Sequence, residues 1–292
     1  MLVSISFISD LPLYKEEKPY TLHGQVAEGR KRSNCHFTVH DRIEVSDVRE
    51  REDSFTLLQH GFQFTRHFFS VLISTSDFQA ENLGTGIVKN YLDEVIALVK
   101  AETNASKVVL FDWRIRTSAP QAHAVEDDQV SDRSEFLAPA SIAHSDYSYD
   151  GGLARFKRQL SSDEIKEYNL DDWHIRIINV WRPLVDKVYD APLAFCDRRS
   201  VSQEDLLEED KVHPTHWEEG LYLLHRDHHK WYWLSEQTRD EVAMFLTWDS
   251  AEIDSSVIPV CPPHASFRDE SASRKGPPRE SVEVRLLAFT KR

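Results

Sequence analysis

Apolar residues along this chain follow two periods. Ile87, Tyr91, Val95, Leu98 and Val99 recur at helical spacing and predict a helix over 87–102. Ser161 and Glu164 stand at capping-box spacing, so 151–168 reads as one or two short helices. Elsewhere the apolar runs are short and rich in β-branched and aromatic residues, as strands require. They fall at 1–8, 39–48, 107–112, 173–181, 192–197, 231–234, 242–248 and 282–289. Residues 61–73 read as buried extended chain, and 14–34 as a polar arm or loop. Residues 117–139 hold few large apolar side chains and read as a disordered stretch or a lid.

Helices thus gather in the first half and short strands fill the second. That order predicts a mainly β fold with flanking helices, a sandwich or barrel of the jelly-roll, cupin-like type. Neither an internal repeat nor a Pro/Gly linker divides the chain, so 1–292 reads as a single domain. Its N-terminal helical layer would lie within about 1–105 and its jelly-roll core at about 106–292.

Composition excludes several roles. With 292 residues, 40% of them hydrophobic, the chain can bury a sizeable core. A formal net charge of −14 opposes non-specific binding to nucleic acid or anionic membrane. No apolar run approaches the roughly 18 residues of a membrane span, and the apolar start lacks the basic flank of a signal peptide. Cys35, Cys196 and Cys261 are odd in number and far apart, which suggests neither a disulfide framework nor a thiolate metal site. A cytoplasmic protein with a small-molecule substrate is expected, with its oligomeric state open.

The chemistry concentrates at His144-Ser145-Asp146. On a strand, residues two apart share a face, so one metal ion can take both side chains. With His264, far downstream, they supply two imidazoles and a carboxylate, the set that caps one face of Fe(II) and leaves other positions open. One strand, 282–289, still follows His264, which is the order a jelly-roll site needs. Arg279 and Ser281 stand at the entrance of that strand on one face, and a guanidinium fork with a hydroxyl suits the far carboxylate of an oxo-acid. Arg285 lies on the same face and is the rival anchor; Glu283, between them, can neutralise either. A plainer reading uses the same residues: His144 capping a turn with Asp146, His264 in a Pro-Pro-His loop, Arg279 in a surface ion pair.

A second His-x-Asp, His225-Arg226-Asp227, lies in the His-rich stretch 225–229. The interval from it to His264 is short for intervening strands of about 5–6 residues each. His225, His228 and His229 are therefore read as a solvated loop. A kinase-like loop is excluded because its Asn position holds Tyr232.

Taken in order, Asp112, Arg116, His144-Ser145-Asp146-Tyr147-Ser148, Asn179-Val180-Trp181-Arg182-Pro183, Pro192-Leu193-Ala194-Phe195-Cys196-Asp197, Trp231-Tyr232-Trp233, Asp249-Ser250, Pro263-His264 and Pro278-Arg279-Glu280-Ser281-Val282-Glu283-Val284-Arg285 resemble the fungal hydroxylase/desaturase family. That family includes a gibberellin desaturase and is related to a bacterial cephalosporin 7α-methoxylase component. The resemblance runs from about Asp41 to the C-terminus. It implies a double-stranded β-helix and oxidation of specialised metabolites dependent on Fe(II), 2-oxoglutarate and O2. By motif match, His144, Asp146 and His264 would be the iron ligands, and Arg279 with Ser281 the co-substrate carboxylate site. Two positions depart from the pattern: Trp113 stands where relatives often carry His, and no basic residue lies between Asp249 and His264.

Around such a site, Asn179 and Trp181 share one strand face and would line the cavity, though Trp181 is equally well read as core. Arg182 would point the other way, into a structural ion pair. Tyr147 would orient the Asp146 carboxylate or pack in the core. Two rival functions use the same sequence: a jelly-roll partner protein without catalysis, and an iron oxygenase that uses no 2-oxoglutarate.

Overall fold

The computed structural model describes residues 1–79, 86–120, 135–251, 261–268 and 276–292. Its strands are β1 (Leu2–Ile8), β2 (Tyr20–Leu22), β3 (Phe37–Asp47), β4 (Phe62–Arg66), β5 (Lys107–Thr117), β6 (Phe136–Leu137), β7 (His144–Ser145) and β8 (Trp173–Pro183). They continue with β9 (Leu193–Cys196), β10 (Leu206–Val212), β11 (Trp217–Leu223), β12 (Trp231–Trp233), β13 (Glu241–Asp249), β14 (His264–Ser266) and β15 (Glu280–Lys291). The α-helices are α1 (Leu57–His60), α2 (Ile87–Thr103), α3 (Tyr149–Gln159) and α4 (Ser162–Glu167). Two sheets form, ordered β1-β3-β12-β9-β14-β7-β11-β10-β2 and β4-β13-β8-β15-β5-β6. Strands distant in sequence become neighbours in both, as in a jelly roll or double-stranded β-helix.

The last strand explains how charged residues come to be buried here. Val282, Val284, Leu286 and Ala288 take alternate positions and pack, with Ile178, Val180, Met244 and Leu246, in one cluster with Val88, Tyr91, Val95 and Val99 of α2. Ser281, Glu283 and Arg285 take the other positions, toward the space between the sheets. Burying each large apolar side chain contributes roughly 1.5–3 kcal/mol, and that layer holds the polar face in place. Helix α2 ends at Asn104, whose φ of 51° is a left-handed value that Asn tolerates.

Helix α3 packs too closely for any residue but glycine. A Cβ on Gly152 would lie 2.0 Å from Cδ1 of Trp248. That indole is buried and donates from Nε1 to the Tyr149 carbonyl at 2.9 Å, so it cannot swing aside. Gly152→Ala should therefore cost about 1–3 kcal/mol, read as a lowered melting temperature; an unchanged melt would show that α3 is not clamped there.

Several sequence expectations change. The helical layer placed within 1–105 comes down to α2 and the single turn α1, while α3 and α4 lie further along. The strand expected over the first residues does form, because Val3, Ile5 and Phe7 alternate inward and β1 pairs antiparallel with β3. Within 61–73, Phe62, Phe64 and Ile73 are buried while Phe68 and Leu72 are exposed, so the stretch is not buried throughout. β10 and β11 were hidden by their acidic residues. β7 and β14 are too short to show a period. Of the proposed lid at 117–139, residues 121–134 lie outside the described residues, and β6 pairs parallel with β5. Among the described residues no helix is long and apolar enough to cross a membrane.

Candidate metal centre

His144 on β7 and His264 on β14 face each other directly across an antiparallel pair. Their ring centroids are 4.5 Å apart. Oδ1 of Asp146 lies 3.4 Å from Nε2 of His144 and 3.7 Å from Nε2 of His264. Each Nδ1 meets a backbone carbonyl, Ile142 at 2.7 Å and Pro262 at 3.2 Å. A carbonyl only accepts, so Nδ1 carries the hydrogen and Nε2 keeps its lone pair. The three donor atoms lie within 4.8 Å of one another, and two such nitrogens with one carboxylate oxygen fit a divalent metal.

The electrostatics suit the same use. Burial, and then the neighbouring His144, push His264 down to about 3, so its imidazole is neutral at ordinary pH. Burial alone would raise the Asp146 carboxyl. The neighbouring His144 and the Arg285 charge outweigh it and hold Asp146 well below the usual carboxylate range.

The carboxylate is held from the opposite sheet. Asn179 on β8 donates from Nδ2 to Oδ2 of Asp146 at 2.7 Å and to Oε1 of Glu283 at 3.1 Å. Two carboxylate neighbours require that Nδ2, not Oδ1, face them. Tyr147 instead packs with Phe111, Phe156, Ile177 and Trp248, so the hold expected of it falls to Asn179. Trp181 is both core and wall: it packs with Phe62, Phe195 and Phe245, and it edges a small pocket shared by His144, Asp146, His264 and Arg279.

Arg279 is only 1% exposed, which corrects the surface ion-pair reading. It donates from a terminal nitrogen to the Ala191 carbonyl at 2.6 Å and to Oγ of Ser266 at 3.3 Å. Its Nε and the Oγ of Ser281 are buried without a hydrogen-bond partner. Among the described residues its guanidinium thus meets only neutral oxygens. Burial, and then the nearby Arg116, lower its pKa to about 9. Arg285 differs: it donates to Glu283 at 3.0 Å and to Asp112 at 3.5 Å.

A cavity of about 1720 Å³ opens beside His144 and Asp146, with Phe111, Leu221, Tyr222 and Phe267 among its apolar lining and Arg114 and Arg155 among its charged lining.

The second His-x-Asp is not a solvated loop. His225 stacks on His40 with ring centroids 4.1 Å apart. His229 is buried, its Nε2 3.2 Å from Asp205. That carboxylate also accepts from the Ser202 amide and hydroxyl, so the group closes a turn. The spacing argument against His225 fails as well, because β12 and β13 fit between it and His264. What excludes the pair is that Asp227 lies fully in solvent. Among the described residues Arg182 forms no ion pair of the kind expected: its guanidinium sits 3.8 Å from the Phe69 ring and its Nε donates to the Arg239 carbonyl.

Two facing sheets around a His-Asp-His cluster describe the class of double-stranded β-helix metal oxygenases. A family profile described as an oxidoreductase/YMDC permease-like domain matches residues 5–289. The Fe(II)/2-oxoglutarate-dependent dioxygenase nvfI of Aspergillus novofumigatus (strain IBT 16806) is 30% identical over 269 residues, 89% of this chain and 87% of that protein. The hydroxylase/desaturase CTB9 of Cercospora beticola is 30% identical over 259 residues, 85% of this chain and 76% of that one. The solved structure of the iron and alpha-ketoglutarate-dependent endoperoxidase NvfI superposes with a TM-score of 0.79 at 28% identity, covering 100% of this chain and 98% of that one. The chain belongs to this family of Fe(II)/2-oxoglutarate-dependent dioxygenases and hydroxylase/desaturases. It is a non-heme oxygenase that uses Fe(II), 2-oxoglutarate and O2 to oxidise a small specialised metabolite.

Proposed function

We propose that His144, Asp146 and His264 hold the iron, and that Arg279 with Ser281 receives the far carboxylate of 2-oxoglutarate. The observation that carries this reading is a pairing of unmet needs in one small pocket. Beside the three metal donors stands a buried guanidinium whose hydrogen bonds reach only neutral oxygens, and two positions along the strand the Ser281 hydroxyl is buried with no partner. A buried cation whose hydrogen bonds reach only neutral oxygens is costly; Asp190 and Glu283 offset its charge only through space, and a dicarboxylate co-substrate supplies a direct partner.

Iron, 2-oxoglutarate and O2 together supply the oxidising power for C–H cleavage. The residues supply geometry. Asn179 keeps one Asp146 oxygen turned toward the two imidazoles, and the Ile142 and Pro262 carbonyls keep both Nε2 atoms aimed at the same point. Trp181, packed under the Arg279 guanidinium at 5.5 Å, closes the pocket floor against water. The adjoining cavity presents the metabolite, and the placement of its C–H bond selects hydroxylation, desaturation or ring formation.

Because the site draws on β7 and β14 from one sheet and β8 and β15 from the other, we read residues 1–292 as one domain. The reduced cysteines Cys35, Cys196 and Cys261 favour the cytosol, and the charge of −14 disfavours a nucleic-acid partner. Co-substrate use is tested directly. Protein reconstituted with Fe(II) should consume O2 and form succinate only when 2-oxoglutarate is present. Oxygen uptake without it, in folded protein given substrate, would favour an oxygenase that binds its substrate without the oxo-acid.

A further inference from the structure

A line of buried polar groups runs across three strands to the metal centre. Asp112 on β5 and Asn179 on β8 are both register partners of Arg285 on β15. Residues directly opposite one another in neighbouring strands project from the same face, and Glu283, two positions from Arg285, shares that face. Arg285 reaches Oδ2 of Asp112 at 3.5 Å and Oε1 of Glu283 at 3.0 Å. The same Glu283 oxygen accepts from Nδ2 of Asn179 at 3.1 Å, and that nitrogen reaches Asp146 at 2.7 Å. All four residues behind Asp146 are buried: Asn179 at 0% exposure, Glu283 at 7%, Asp112 at 8% and Arg285 at 9%.

From this geometry we propose that Glu283 and Arg285 are positioning residues for the metal-binding carboxylate. Arg285, braced by Asp112, fixes Glu283; Glu283 fixes the plane of the Asn179 amide; and the amide fixes Asp146. The argument rests on reading Asp146 as a metal ligand. An amide nitrogen has two hydrogens, and here each has one carboxylate to point at. With both accepted, the amide can neither twist nor flip without turning Oδ1 toward a carboxylate. With Glu283 gone, one hydrogen is free, the amide plane is no longer set, and Arg285 is left with a changed balance of charge in a water-excluded site. The same contacts take Arg285 out of the co-substrate role, because its charge is already matched by Glu283 and Asp112.

The test is an anaerobic Co(II) titration of the full chain, followed by the visible absorption of the bound ion, in wild type and in Asp146→Ala, Asn179→Ala, Glu283→Ala and Glu283→Gln. Glu283→Ala and Asn179→Ala should weaken Co(II) binding by about 10–100-fold, the usual effect of removing a group that orients a ligand, and should alter the absorption bands. Glu283→Gln keeps an acceptor for Asn179 and should recover most of the affinity. Wild-type affinity and bands in Glu283→Ala, with binding lost in Asp146→Ala, would overturn the positioning role and leave the ligand assignment standing. Undiminished binding in Asp146→Ala would instead remove the ligand assignment, and the positioning role with it. Should Glu283→Ala fail to fold, Asn179→Ser carries the same comparison.

Discussion

His264→Ala should abolish iron binding, and His225→Ala should leave it intact. Anaerobic wild-type protein given Fe(II) and 2-oxoglutarate is expected to show a weak visible charge-transfer band. The band should vanish in His264→Ala and in His144→Ala, and turnover should fall beyond the roughly 10–100-fold typical of groups that merely orient ligands. The reason lies in how completely the fold prepares this nitrogen. His264 is buried and neutral, its Nδ1 is committed to the Pro262 carbonyl, and its Nε2 lies 3.7 Å from Asp146. No other imidazole among the described residues stands opposite His144 on a neighbouring strand. His225 offers the contrast within one chain. It belongs to the same three-letter motif, yet it stacks on His40 and its Asp227 lies in solvent. A band that survives in folded His264→Ala, or one that disappears in His225→Ala, would move the metal site.

Much of this architecture was legible in the chain, and the unread parts share a physical cause. Helix α2 and strand β15 were readable because each carries its own period over many residues: 3.6 in Tyr91, Val95, Leu98 and Val99, and 2 in Val282, Val284 and Leu286. Local chemistry was equally readable at the Ser161–Glu164 capping box. β7 and β14 span two and three residues, too few for any period. That His264 faces His144 is a fact of long-range pairing, for which the sequence offers only the order of the ligands. Of the two readings open for Tyr147, core packing is the one found. Neighbouring residues on extended chain point to opposite faces, so the residue beside Asp146 enters the core, while the group that holds its carboxylate comes from β8. Spacing does not separate the second His-x-Asp from the first; only the solvent-facing Asp227 does. Arg279 and Arg285 were indistinguishable by position because both sit on one face of β15. Their partners separate them, and partners belong to the tertiary fold.

That separation gives the second large effect. Arg279→Met should raise the 2-oxoglutarate concentration needed for half-maximal succinate formation by at least about 100-fold, with a much smaller change in Arg285→Met. Taking one partner from a buried, hydrogen-bonded charge pair costs about 3–5 kcal/mol, and each 1.4 kcal/mol or so is tenfold in affinity. Arg279 qualifies because it is buried, meets only neutral oxygens and stands beside Ser281, whose hydroxyl is also unmatched. Its pKa, lowered to about 9, still leaves it charged at neutral pH. Burial and the nearby Arg116 disfavour the cation, and a carboxylate beside it would offset both. Binding to the folded state alone raises stability by mass action, so 2-oxoglutarate should raise the melting temperature of wild type. It should do so little in Arg279→Met, whatever that variant's own melting temperature. Arg279→Lys should fall between the two, since it keeps the charge and loses the planar fork that grips two carboxylate oxygens. If the loss appears in Arg285→Met while Arg279→Met keeps wild-type dependence on 2-oxoglutarate, the anchor is Arg285, and Glu283 must then release it when the co-substrate binds.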